Sequence, residues 1–106
     1  MNPTEPYPVS VPDDRSFDVV GFGLNAVDRL HIVPRYPDRG TKVRIEASTL
    51  QCGGQVATAM ATLVRLGVER VRYVGKVGSD DLGEYSLRTL REAGVDIEHV
   101  LVEPDS

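Results

Sequence analysis

Asp28, closing "GLNAVD", and the pair Gly53–Gly54, opening "GGQVATAMATLVRLG", are the residues best suited to binding a polar small molecule. A carboxylate accepts hydrogen bonds from hydroxyl groups. Backbone N–H groups at a glycine-led helix start have no partner within the helix and can donate to a ligand. Brought to one hollow, these groups suit a polyhydroxylated guest. Each also has a plainer reading. Taken alone, Asp28 reads as a solvated loop acid. The glycine pair serves close helix–sheet packing equally well. It is neither a GxxxxGK[ST] phosphate loop nor a GxGxxG fingerprint.

Other candidates carry less. Asp80 reads as a helix cap. His31 and His99 have no partner at metal-ligand spacing, so both read as structural or exposed, and no metal site is expected. Cys52 adjoins the glycines without a basic neighbour or nearby His, and reads as a small buried residue rather than a nucleophile.

The elements that must position these groups follow from periodicity. Residues 1–16 hold four prolines among acidic and small residues and read as a disordered leader. "FDVVGFG", Phe17 to Gly23, reads as a buried strand. "LHIV" (Leu30–Val33) and "TKVRIEASTL" (Thr41–Leu50) read as two extended runs that pair as a flap outside the main sheet. From Gly53 to Leu66 the period turns helical, through Val56, Met60 and Leu63, and Gly67 stands as a stop. "RVRYVGKVG", Arg70 to Gly78, reads as one strand. "SDDLGEYSLRTLREAG" offers Ser79 and Asp80 as N-caps, acids in the first turn and Gly94 as a stop. "VDIEHVLV", Val95 to Val102, reads as a last strand. Helices alternating with strands predict parallel βαβ units in an open three-layer α/β sheet, with ligands beyond the strands' carboxyl ends.

Composition bounds the partners. The chain has 106 residues, 41% hydrophobic and 26% charged, with a net charge of −4. Arginine and lysine are scattered, so there is no footprint for nucleic acid. No apolar run is long enough to span a bilayer, and the N-terminus lacks the pattern of a secretory signal. One cysteine excludes an internal disulfide and fits a reducing compartment. The expected location is the cytoplasm.

The order and spacing of these features, from Phe17 to about Glu103, resemble the N-terminal region of the ribokinase-like (PfkB) carbohydrate kinases. The resemblance rests on a strand running into G-x-x-x-x-D, a two-run flap, GG opening an alanine-rich helix that ends "RLG", and "VGKVGSDDLG" before a helix ending "REAGVD". It implies a mostly parallel sheet of the ribokinase-like type with a small β lid at about residues 29–50, and residues 17–106 as the N-terminal part of the kinase domain. It also implies transfer of the ATP γ-phosphoryl, with Mg2+, to a hydroxyl of a sugar or nucleoside-like acceptor, and a homodimer contact through the lid. The substrate-binding positions it implies are Asn25, Asp28, Gly53, Gly54, Gln55 and Thr58. Gly78, Asp80 and Gly83 correspond to an architectural G-x-D-x-x-G turn.

Two departures bear on the substrate. Thr58 stands where the family usually has Asn, losing an amide that Gln55 would replace. The spacing from Gly67 to Gly78 is one residue longer than in many members. A third bears on catalysis: no G-A-G-D motif is present, so neither the base nor a nucleotide site is expected in these residues, and the chain alone is expected to be inactive. The tail "VLVEPDS" stops where another lid strand usually begins, which reads as truncation, and would leave a sheet edge open and apolar. Two other readings stand beside this one. The chain could be a non-catalytic small-ligand or lid-mediated interaction module. A generic nucleotide-binding α/β domain is disfavoured by the missing GxGxxG.

Overall fold

The computed structural model describes residues 13–104. Most of the expected leader, residues 1–12, lies outside them. Residues 13–16 are exposed, and Arg15 bonds Asp18 through its guanidinium. The elements run β1 (Val19–Phe22), β2 (Ala26–Ile32), β3 (Ala47–Gly53), α1 (Gln55–Arg65), β4 (Val71–Val74), β5 (Lys76–Gly78), α2 (Asp81–Glu92) and β6 (Leu101–Glu103).

β1 and β4 pair in parallel, with Val19 opposite Val71 and Phe22 opposite Val74. Asp96 adds a parallel bridge to Arg72 on the other side of β4. α1 lies across β1 and β4. Val71 and Tyr73 point to that face and are buried with Ala57, Met60, Leu90 and Val95. Two residues apart on a strand share a face, and three or four apart on a helix share a stripe, so this core is the expected meeting of the two periods. Both helices stop as the sequence suggests, with Gly67 (φ 102°) and Gly94 (φ 97°) in the left-handed region just past their ends. Asp80 caps α2, its carboxylate accepting from the Gly83 N–H at 2.9 Å.

Three strand expectations need correction. Residues 70–78 are not one strand. The run breaks at Gly75, where the chain leaves β1 as its partner and takes β6 instead. Residues 95–102 form only the Asp96 bridge and then β6. Between them the Asp96 carboxylate accepts from the Glu98 N–H, and the Val100 N–H bonds the Ile97 carbonyl, so the chain turns where the apolar pattern read as extended. The flap runs are shifted. β2 starts at Ala26 and β3 reaches Gly53, whereas residues 41–45 pair with no strand despite their alternation, and the Glu46 N–H alone of that run reaches β2, at the Ile32 carbonyl. β2 and β3 form an antiparallel ribbon with Ala26 opposite Gly53 and Ile32 opposite Ala47.

The helices cover one face of the β1–β4 pair. On the other, Val20 (56% exposed), Phe22 (80%), Leu24 and Leu101 stand bare and, with Val74, line a trough of about 840 Å³. The apolar exposure foreseen at a sheet edge therefore falls on a sheet face. The second helical layer of the expected three-layer arrangement is absent among the described residues.

Candidate functional site

The backbone leaves β1 at Phe22 and enters the ribbon at Ala26. Asn25 sits at this junction. Asp28 was expected where the first strand runs out; it lies instead within β2, paired with Gln51 and diagonally across from Gly53. Diagonal neighbours in an antiparallel pair share a face and lie close. Here the carboxylate leans over the glycine: a Cβ at position 53 would be 2.5 Å from Asp28 Oδ2. No hydrogen bond or ion pair holds that exposed carboxylate among the described residues, so its acceptor sites are uncommitted.

The second glycine has a different task. Gly54 holds φ 91° at the N-cap of α1, and a Cβ there would lie 2.6 Å from Asn25 Cα and 2.7 Å from the Leu24 carbonyl oxygen. The helix start is thus seated on the backbone of the junction. The Ala57 N–H donates to the Leu24 carbonyl at 3.1 Å, so one of the first-turn donors expected to meet a ligand is spent on the protein. The two readings of the pair divide between its members. Gly53 makes room for the Asp28 carboxylate, and Gly54 permits close packing.

Asn25 is fixed from the opposite side as well. Ser86 of α2, 2% exposed, donates its hydroxyl to Asn25 Oδ1 at 2.8 Å. The junction is tied to the core by a further bond, from the buried Tyr73 hydroxyl to the Gly23 carbonyl at 2.6 Å. Burial raises the Tyr73 pKa above the ordinary phenol value.

Asn25, Gly53 and Thr58 share a hollow of about 230 Å³ between α1 and α2, with Cys52 at its wall. Asn25 also borders a second hollow of about 250 Å³ against Lys76, Asp80 and Ser86. Gln55 is exposed at the first position of α1 and Thr58 is exposed one turn on. The structure therefore brings Asn25, Gly53 and Thr58 to one hollow and sets Asp28 over Gly53. Gln55 borders neither hollow. Ser86 was missed by the sequence reading. Its signal was available: with Gly83 and Leu90 it lies on the buried stripe of an amphipathic helix, and a polar side chain there needs a partner.

The described residues do not fit a nucleotide with its metal. The α2 start carries Asp80, Asp81 and Glu84, which repel phosphate. The α1 start is closed over Leu24 and Asn25. No cluster of three His, Cys, Asp or Glu side chains suits a metal ion among the described residues. What these residues offer is an amide lining a hollow with Gly53 and a carboxylate acceptor over that glycine, groups suited to hydroxyls.

Known proteins carry a similar stretch. The pattern of the pfkB family carbohydrate kinases matches residues 17–106. Ketohexokinase of Mus musculus is 27% identical over 82 residues, which are 77% of this chain and 27% of that protein. A solved carbohydrate kinase from Agrobacterium tumefaciens superposes with a TM-score of 0.64 at 26% identity, over 82% of this chain and 26% of the other. A ribokinase from Cryptococcus neoformans, solved with ADP, superposes with a TM-score of 0.69 at 23% identity, over 82% of this chain and 27% of its own. The chain spans about a quarter of the length of these relatives.

Proposed function

This chain belongs to the pfkB family of carbohydrate kinases, and from that premise we propose that it forms the acceptor-binding part of an ATP-dependent kinase acting on a hydroxyl of a sugar or sugar-like molecule. One observation carries the proposal: the Asp28 carboxylate lies over Gly53, which lines a hollow with Asn25, and its acceptor sites are uncommitted. An ionised carboxylate with no protein partner is well matched to sugar hydroxyls, which are donors in want of an acceptor. Asn25, Gly53 and Thr58 line the proposed site, Gly54 and Gln55 flank it at the start of α1, Asp28 grips the guest and the lid ribbon β2–β3 covers it. The phosphoryl donor, ATP with Mg2+, would be held by residues outside the described ones, and residues 17–106 alone would not catalyse transfer. A cytoplasmic setting belongs to the same proposal. It is supported by the single free thiol at Cys52 and by the lack of any described helix long and apolar enough to cross a membrane.

The test is calorimetry on the full 106-residue chain with D-ribose, D-fructose and adenosine. Binding of one of them that is lost in Asp28→Ala supports the reading; equal binding by both proteins refutes it. A second reading is favoured by one observation. The ribbon and its loop leave Leu30, Ile32, Tyr36 and Ile45 exposed, which suits a lid-mediated homodimer or interaction module. Sedimentation of the chain, compared with an Ile32→Ser variant, decides it.

A further inference from the structure

We propose that Ser86 is a positioning residue for the acceptor site: it fixes which end of the Asn25 amide meets the ligand. The inference rests on the acceptor-site reading above and deepens it. Ser86 is 2% exposed and sits on the stripe of α2 that faces the core, where a hydroxyl without a partner would be costly. It donates to Asn25 Oδ1 at 2.8 Å. Gly54 meanwhile closes on the Asn25 backbone from α1, with no space for a Cβ between them. The asparagine is held at its backbone by one helix and at its side-chain oxygen by the other.

A primary amide has one acceptor end and one donor end. With the oxygen held by Ser86 at one of its two lone pairs, the Nδ2 hydrogens are the donors left without a protein partner and open to a guest. Asp28, when ionised, can only accept. The two side chains are therefore not interchangeable readers. Asn25 asks for an oxygen lone pair and Asp28 asks for a hydroxyl proton. The ligand class that satisfies both carries one hydroxyl or ether oxygen used as an acceptor and another hydroxyl used as a donor. Replacing the hydroxyl at Asp28 by fluorine removes the needed proton. At Asn25 the same replacement leaves a weak acceptor in place and costs less.

The test uses the full chain, its Ser86→Ala and Ser86→Thr variants, and Asp28→Ala. In the ligand-free chain, the Asn25 side-chain carbonyl carbon, read by NMR, is expected to shift upfield in Ser86→Ala and to return in Ser86→Thr. With whichever of D-ribose, D-fructose or adenosine binds the wild type, Ser86→Ala is expected to weaken binding about five- to tenfold, as for one lost preorganised hydrogen bond. Asp28→Ala should abolish it. An unchanged Asn25 carbonyl signal in Ser86→Ala overturns the inference, as does unchanged affinity in that variant while Asp28→Ala still loses binding. Unchanged affinity in Asp28→Ala, or no binding by the wild type, overturns the acceptor-site reading itself. If Ser86→Ala does not fold, the wild type decides: the Asn25 Nδ2 protons move downfield on saturation with the bound sugar if they are the groups that donate to it, and stay in place if they are not.

Discussion

The carboxylate of Asp28 occupies the space that a side chain at Gly53 would fill, with Oδ2 only 2.5 Å from where a Cβ would stand. Gly53→Ala should therefore displace the carboxylate without touching its chemistry. Affinity for the bound sugar should fall at least tenfold, as one charge-assisted hydrogen bond is worth about 1.5–3 kcal/mol. The melting temperature should fall only modestly, because the diverted side chain is exposed. Calorimetry and thermal melts on the variant check this; wild-type affinity would show that the carboxylate and the glycine do not act together.

Gly54→Ala should behave differently. The residue holds φ 91°, and its Cβ would meet backbone, at Asn25 Cα and the Leu24 carbonyl, rather than a side-chain end that can swing away. Strain of this kind costs about 1–3 kcal/mol. Urea unfolding should show a loss of at least about 1 kcal/mol, and a change within error would mean that the helix start does not rest on the junction.

Tyr73 links the core to that junction, and its pKa is raised by burial. A phenol with a folded pKa above the unfolded value contributes stability that is complete below about pH 10 and is lost as pH rises toward the folded pKa. Alkaline unfolding of the wild type should steepen above about pH 10, and Tyr73→Phe should flatten that limb. At neutral pH the same variant should lose about 1 kcal/mol, the hydroxyl bond to the Gly23 carbonyl. Equal alkaline limbs in the two proteins would disprove the assignment.

Acid should act through Asp96. The Arg72 guanidinium bonds its carboxylate at 2.8 Å and holds the pKa below the usual carboxylate value, helped by the Glu98 N–H and opposed by partial desolvation. A depressed carboxylate contributes stability above its unfolded pKa of about 3.9 and loses it as pH falls through the folded value. The wild type should lose stability below about pH 4 more steeply than Asp96→Asn. Melting curves between neutral pH and acid check this, and parallel curves would rule it out.

The bare sheet face predicts a surface property. Phe22, 80% exposed in the trough with Val20, Leu24 and Leu101, should bind an apolar fluorescent dye in the native chain. Phe22→Ser should reduce that signal at little cost in stability, since the ring buries little here. Undiminished dye fluorescence would place the apolar surface elsewhere.

Much of this protein could be read from local pattern. Both helices were legible, because a helix bonds within itself and its stripe, cap and stop lie within a few residues of one another: Met60 and Leu90 inward, Asp80 at a start, Gly67 and Gly94 just past the ends. The family was legible too, since it is carried by order and spacing along residues 17–106, and so was the parallel α/β class. The strands were less so. A strand is completed by a partner far away in sequence, so nothing local in residues 70–78 announces that β4 bonds β1 while β5 bonds β6. The alternation of residues 41–46 reads as a half-buried strand, yet of these only Glu46 bonds one, through its N–H to the Ile32 carbonyl. Tertiary structure alone divided the glycine pair, placing Gly53 under Asp28 across a strand register and Gly54 against Asn25 across a helix start. It alone brought Ser86 to the Asn25 amide, sixty-one residues away along the chain. Sequence determines which segments can bond within themselves. Only the fold decides which distant groups share one space, because that depends on register and packing that no single stretch contains.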